Sequence, residues 1–385
     1  MSSLVSRRQF LEKSLLSGAA LALAGAAPWL WAQEVSPEMI IRSQRFVDLE
    51  TPVELFHSWI TPVGSFFIRN HMSEPVTFDA DGYRLKVTGE VEKPVALSLQ
   101  QLQKLSTATV TNTLECAGNG RAFYEPRVPG VQWSMGAVGT ARFTGPRMKD
   151  VLEQAGVRSS SKFVAFKGLD EPPSKVPQFI RSIPIEKALD PDTLLATKMN
   201  GAPLTKHHGY PVRALVPGWI GAASCKWLAE IQVLDHEFDG NFMKPGYRMP
   251  NNPVPPGGAV DVKDTHPVTG LNVKSLITSP VDGARQQRGP VRISGVAWAG
   301  EADVTKVEIS ADGGVSWQAA QLGSDQAKYS WRLFHAAWMP KSGGDFTIMA
   351  RATDSKGRVQ PAQPDWNPSG YLWNGIQKVR VHVGA

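Results

Sequence analysis

Thr113-Leu114-Glu115-Cys116-Ala117-Gly118-Asn119-Gly120-Arg121 decides how this chain is read. Upstream, Thr109 to Leu114 is rich in β-branched residues, which suit a pleated strand, and a strand end fixes where the Cys116 thiol points. The glycines just after it carry no Cβ, so the backbone can approach a bulky ligand closely. Arg121, five residues on, is placed to lower the thiol pKa and to offer a cation to an oxyanion. Gly118-Asn119-Gly120 is not a dinucleotide fingerprint, because it lacks the third glycine and the opening helix. The second cysteine, Cys225, sits in Ser224-Cys225-Lys226-Trp227-Leu228, which reads as strand, and there it reads as a small core residue. Sequence alone leaves a disulfide between the two open in an exported protein.

Working outward, the 385 residues are 42% hydrophobic and 20% charged, the balance of a globular chain of two or three domains. At the N-terminus, Ser6-Arg7-Arg8-Gln9-Phe10-Leu11 precedes a mild apolar run from Leu15 to Ala27, and Ala32 is a small residue suited to cleavage. The pattern predicts a cleaved twin-arginine export signal over residues 1–32 and a periplasmic destination, although Glu12 stands where a lysine is usual. Such export carries proteins already folded, which suits a chain that receives a complex cofactor in the cytoplasm. Nothing in the body reaches the roughly 18 continuous apolar residues that cross a bilayer, so no membrane span is predicted. Losing Arg7, Arg8, Lys13 and Glu12 with the signal takes the formal charge from +6 to +4. The remaining basic residues are scattered, which argues against nucleic acid and fits anionic substrates or acidic partners.

From about Val35 to Pro250 the pattern is mixed α+β with few long helices. Tyr83 to Thr88 alternates like a strand, Ser98 reads as the N-cap of a helix through Leu105, and Met148 to Ala155 reads as a helix closed by Gly156. Lys162 to Phe166, Tyr210 to Val216 and Cys225 to Leu234 read as further strands. Residues 249–268, with Pro250, Pro253, Pro255, Pro256, Gly257 and Gly258, make the clearest linker. Beyond it come short alternating runs: Val291 to Val296, a hairpin of Val304–Ser310 and Val315–Ala319 about Asp312-Gly313-Gly314, Asp345 to Thr353, and Lys378 to Val383. Such spacing without a helical period predicts a β-sandwich. The tryptophans gathered there, from Trp298 to Trp373, read as core and interface packing.

The cysteine loop resembles the signature loop of the sulfite oxidase family of molybdenum–pterin enzymes, and the likeness spans nearly the whole mature chain. Phe66-Phe67-Ile68-Arg69-Asn70-His71 resembles that family's cofactor-contacting segment, and Trp133-Ser134 through Thr140-Ala141-Arg142-Phe143-Thr144-Gly145 resembles the strand and turn after its cysteine loop. Ser182-Ile183-Pro184, Met199-Asn200-Gly201, His208-Gly209-Tyr210-Pro211-Val212-Arg213, Val216-Pro217-Gly218 and Lys226-Trp227-Leu228 are similar in the same order. Trp366-Asn367-Pro368-Ser369-Gly370-Tyr371 resembles the tail of its dimerisation domain.

The resemblance implies a molybdopterin-binding catalytic domain over residues 33–250, a linker over 251–268 and an all-β immunoglobulin-like dimerisation sandwich over 269–385. It implies molybdenum–molybdopterin as cofactor, with Cys116 as the protein's one direct metal ligand beside the pterin's dithiolene sulfurs, a soft thiolate suiting such a metal. Phe67, Ile68, Arg69, Asn70, His71, Asp170, His208, Arg213, Ser224, Cys225 and Lys226 would hold the pterin and its phosphate. Taken alone, His208 reads as a loop histidine and Lys226 as a solvated strand end. Arg69, Arg121, Trp133 and Tyr247 fall where the family builds its anion pocket, and two arginines would bind a sulfur oxyanion.

Two departures stand out: Ser369 replaces a third pocket arginine and Ala223 replaces an arginine before the Lys226 strand. Losing a cation should weaken binding of free sulfite and make room for something bulkier. With the export signal, this resembles the sulfane dehydrogenase branch, which oxidises sulfur carried as a persulfide on a carrier protein in thiosulfate oxidation. The chain has no Cys-x-x-Cys-His and no cluster-type cysteine array, so haem is not expected on it. Electrons then need a separate acceptor, a c-type cytochrome subunit, with a sulfur-carrier protein as substrate and a homodimer within a hetero-oligomer as assembly. The alternatives are a dehydrogenase for free sulfite and a cofactor-free binding protein that kept the fold.

Overall fold

The structure is a computed structural model that describes residues 35–384, so the export signal read at 1–32 lies outside the described residues. The strand that carries the cysteine runs from Thr107 to Glu115 and pairs antiparallel with Val138–Pro146, from Thr107 opposite Pro146 to Glu115 opposite Val138. Its first residues are exposed and its last four positions are all buried, so it drives from the surface into the core. Short strands Lys198–Met199 and Ala202–Pro203 complete this four-stranded sheet.

A five-stranded sheet has the order Val95–Ser98, Arg84–Gly89, Leu228–Leu234, Phe163–Gly168, Ile180–Pro184. Only Arg84–Gly89 and Leu228–Leu234 run parallel. Alternation explains the burial: Leu85 and Val87 are sealed into the core while Arg84 and Lys86 face out. Helix Met148–Ala155 packs Met148, Val151, Leu152 and Ala155 onto that core and ends at Gly156, whose φ of 69° is the left-handed cap the sequence predicts. Ser98 likewise caps Leu99–Lys104 in a capping box with Gln101.

The α+β reading needs one correction, for the described α-helices are three short pieces, the longest of eight residues, and strand dominates. Short apolar runs between turns lack the length to sustain a helix without tertiary support. Among the described residues no helix is long and apolar enough to cross a membrane.

From Lys274 onward the chain forms two sheets. One orders Lys274–Ser279, Val291–Trp298, Arg332–Trp338, Gln321–Leu322; the other orders Ala284–Gln286, Lys378–Val383, Gly344–Asp354, Val304–Ser310, Gln318–Ala319. They share a core that includes Ile293, Val307, Ile309, Phe334, Ile348 and Val381. The strands at Lys274 and Arg332 give no clear alternation in sequence, since Lys274 itself is buried. The proline-rich linker is tied at its base, where Arg248–Pro250 pairs antiparallel with Thr265–Pro267. Trp298 and Trp331 are fully buried in a cluster that joins Phe56, Met72 and Ala117 to Leu276 and Val296, so the halves share continuous apolar packing.

Candidate active site

Cys116 begins a tight loop at the end of its strand. Its N–H donates to the Ala137 carbonyl at 2.9 Å, and its own carbonyl accepts from the Asn119 N–H at 2.9 Å. Gly120 comes next but three at φ 92°, a conformation that disfavours any residue with a Cβ. Gly118 has a different reason from the one the sequence suggests. A Cβ there would lie 2.6 Å from the Arg121 guanidinium, so the missing side chain makes room for Arg121 at the wall of a cavity that Gly118 also lines.

Two cavities meet at this loop. Arg69, His71, Cys116 and Tyr247 line both. The inner cavity is bounded further by Phe67 and Asn70 of the Phe66–His71 segment, by Asp170, and by His208, Arg213, Ser224, Cys225 and Lys226. Ile68 is the exception among the predicted cofactor residues. It exchanges both backbone hydrogen bonds with Leu49 at 2.9 Å and is buried, so it anchors the segment while its neighbours face the cavity. Cys225 lies in a loop before its strand, which starts only at Leu228, and Trp227 between them has a φ of 50°. The two cysteines are unbridged.

The inner cavity gathers buried cations with little to neutralise them. Burial pulls the Lys226 ammonium from 10.5 down to about 7, against the opposing pull of Glu74. Burial, with Lys226 and Arg213 nearby, drives His208 down to about 3, and burial lowers Arg213 to about 10. These are neither an ordinary loop histidine nor a solvated strand end. Lys226 donates to the Asn70 side-chain oxygen and to the His207 carbonyl at 2.9 Å. The Nε of Arg213 is buried with no hydrogen-bond partner, an arrangement that calls for an anion. Among the described residues Asp170 is the one carboxylate lining this cavity, and burial raises it to about 6.

Asn70 is steadied by Glu74 at 2.7 Å, which also takes His207 Nδ1 at 2.9 Å; that contact with His207, then Lys226, outweighs burial and brings Glu74 to about 2. Neither Glu74 nor His207 belongs to the predicted set, and only their nearness in sequence to Asn70 and His208 hints at them.

The outer cavity adds Arg121, Ser369, Phe242 and Tyr371. Arg121 donates through Nε to the Ser369 carbonyl at 3.0 Å and through a terminal nitrogen to the Val131 carbonyl at 3.0 Å. Both partners are neutral, so its charge faces the cavity unmatched, whereas Arg69 pairs with Asp48 at 3.3 Å. Tyr247 is clamped, its ring stacked 5.2 Å from Tyr371 with the Arg181 guanidinium 4.7 Å from its centroid. Its hydroxyl shares a 2.5 Å hydrogen bond with His71 Nε2. Burial and the nearby arginine and lysine cations hold His71 well below its ordinary pKa, so the imidazole is neutral. Burial, then Tyr371, push the phenol up, so it keeps its proton. Tyr371 closes the tail motif read in the sequence, which gives it no part in the pocket, and Arg181 is a residue that pattern reading passes over.

Two sequence expectations need correcting. Trp133 does not line either cavity; it is wholly buried behind the loop among Phe66, Leu114 and Phe143, with its indole N–H unpartnered. Its backbone carbonyl receives the Ala122 N–H at 3.1 Å, so it supports the turn that carries Arg121. The Cys116 thiol is raised rather than lowered, because burial outweighs the pull of Arg69 and Arg121.

The residues fit a phosphate-bearing pterin with a soft metal: one thiol at the junction, one carboxylate, and a cluster of buried donors with an orphaned guanidinium nitrogen. Residues 71–242 match the family model described as oxidoreductase molybdopterin binding domain, and residues 265–384 match that of the Mo-co oxidoreductase dimerisation domain. Sulfite oxidase of Arabidopsis thaliana is 32% identical over 378 residues, covering 90% of this chain and 95% of that one. Mitochondrial sulfite oxidase of Rattus norvegicus is 38% identical over 363 residues, and the match covers 90% of this chain but only 66% of the rat protein's length. The crystal structure of the sulfane dehydrogenase SoxCD from Paracoccus pantotrophus superposes with a TM-score of 0.77 at 29% identity, over 94% of this chain and 91% of that one.

Proposed function

Since the chain belongs to the sulfite oxidase family, we propose that it is a molybdopterin-dependent oxidoreductase for sulfur compounds with Cys116 as its metal ligand. The observation that carries this is the position of Cys116 where a cation-rich inner cavity meets an arginine-bearing outer one. Lys226, Arg213, His208 and Asn70 hold the phosphate end, Asp170 takes the pterin's amino groups, and Cys225 and Ser224 close the wall. The cofactor, when bound, supplies two-electron oxygen-atom transfer to sulfur. The chain's own part is to bind and orient: Arg121 meets the anionic substrate with an unmatched charge, and Tyr247, protonated and held by His71, offers a donor beside it.

For the substrate we favour sulfane sulfur carried on a protein cysteine. Ser369 lines the outer cavity and presents its carbonyl to Arg121, which leaves that wall without a second cation and open to a bulky donor. The structural likeness to a sulfane dehydrogenase over 94% of the chain supports the same choice. Electrons pass to a c-type cytochrome subunit, the C-terminal sheets form an immunoglobulin-like sandwich that pairs two copies within a hetero-oligomer, and the protein works in the periplasm after twin-arginine export. Free sulfite is the second reading, supported by the relatives named sulfite oxidases. Steady-state turnover with free sulfite and with a persulfide-loaded carrier protein separates them. The proposal expects the higher kcat/KM with the carrier; a higher value with free sulfite would overturn it in favour of a sulfite dehydrogenase.

A further inference from the structure

Behind the cavities, a buried charge pair ties the cysteine loop to one of the two C-terminal sheets. Glu115, directly before Cys116, is 5% exposed, and Lys274, first in its strand, is 1% exposed. The Lys274 ammonium donates to Glu115 Oε1 at 2.9 Å and to the Asn119 carbonyl at 3.4 Å. The Trp298 indole N–H donates to Glu115 Oε2 at 2.8 Å, and the Asn119 side-chain amide donates to Oε1 at 2.9 Å. Trp298 and Trp373 flank the ammonium with ring centroids 5.6 Å and 5.4 Å away. Farther along the loop, the Leu372 N–H donates to the Ala117 carbonyl at 2.8 Å.

A buried ion pair adds little net stability over an apolar pair of the same volume, because desolvating two charges offsets their attraction. What it does supply is direction. Both Glu115 carboxylate oxygens are claimed, and two of the claimants, Lys274 and Trp298, face each other on paired strands of one sheet far along the chain. Asn119, bound to the same carboxylate, also accepts the Ala137 N–H at 3.1 Å, next to the carbonyl that receives Cys116. Rotation of the strand end is therefore blocked on both sides of the thiol.

We propose that Lys274 and Trp298 are positioning residues: through Glu115, the C-terminal sheet that begins at Lys274 aims the Cys116 thiol into the junction of the two cavities. The consequence is that this sheet does more than pair subunits, for it is part of the frame of the metal site. The assignment rests on Cys116 being the metal-holding thiol, and its test includes a measurement independent of the metal.

The test compares full-length wild type with Lys274→Met, Glu115→Gln and the double variant Glu115→Gln/Lys274→Met. Each single change strands a buried charge and can unfold the protein, whereas the double change removes both charges and is expected to melt close to wild type. Amide hydrogen exchange is then read across residues 116–121 and, as reference, across Leu228–Leu234. In the double variant, exchange in the loop should rise roughly tenfold or more with the reference strand unchanged. In cofactor-loaded protein the same variant should lose roughly tenfold in kcat with KM held, and its thiolate-to-metal absorption should shift. Loop exchange that stays at the wild-type rate, or that rises equally in both segments, overturns the inference. Wild-type protein without molybdenum from a competent host would overturn the proposed function instead, and the exchange comparison would still decide the frame.

Discussion

Lys226→Met removes a cation whose pKa burial has brought from 10.5 to about 7. In the folded protein the ammonium sheds its proton near 7, while the unfolded chain keeps it up to 10.5, so between those values the unfolded state binds more protons and stability rises with pH. Below about 7 both states are charged and the folded state bears the full penalty; above 10.5 the penalty is gone. The gap, 10.5 minus about 7, is about 3.5 pH units, which at about 1.36 kcal/mol each gives an upper value of about 5 kcal/mol. Methionine escapes that cost but leaves the Asn70 oxygen and the His207 carbonyl without their donor, a loss of about 1–3 kcal/mol. The cofactor-free variant should thus be more stable than wild type by about 2–4 kcal/mol at pH 6 and less stable by about 1–3 kcal/mol near pH 10.5. Urea unfolding of both cofactor-free proteins from pH 6 to 10.5 checks this, and inorganic phosphate should stabilise wild type more than the variant. Stability curves that run parallel across that range would refute the reasoning, because they would mean that Lys226 is not held in a desolvated site.

Three further outcomes are expected at the site. Cys116→Ser should abolish turnover while leaving the thermal midpoint of the cofactor-free protein unchanged, read by calorimetry beside the activity assay. Arg121→Lys cannot keep both the Ser369 and Val131 carbonyls and also face the cavity, so KM for an anionic substrate should rise roughly 10- to 100-fold, as loss of one charged hydrogen bond implies. Gly118→Ala places a Cβ 2.6 Å from the Arg121 guanidinium and should raise KM in the same direction, with a change in kcat alone counting against it.

Local rules make much of the fold legible. Met148–Ala155 with Gly156, and Ser98 with Gln101, are settled within a few residues by caps and periodicity. Strand Thr107–Glu115 announces itself by its β-branched residues and by the glycine loop that ends it. The inner cavity is legible through the ordered motifs, because His208, Arg213 and Lys226 recur as a set although each looks ordinary alone. What stays hidden depends on contacts made across the chain. Nothing in the sequence marks Lys274 until Glu115, 159 residues earlier, is seen beside it. Arg181 stands just before the Ser182-Ile183-Pro184 motif and draws no notice in sequence, yet it lies 2% exposed against Tyr247. Trp133 shows the opposite failure, for its motif places it near the cysteine loop without saying which side of the loop it occupies. The thiol pKa escapes sequence reading because a sequence shows the nearby arginine and not the burial that outweighs it.

The central claim is that Cys116 binds molybdenum, and X-ray absorption at the molybdenum edge addresses it directly. Wild-type protein from a cofactor-competent host should show one more sulfur neighbour to the metal than Cys116→Ser loaded in the same way. An equal sulfur count in the two proteins would contradict the account.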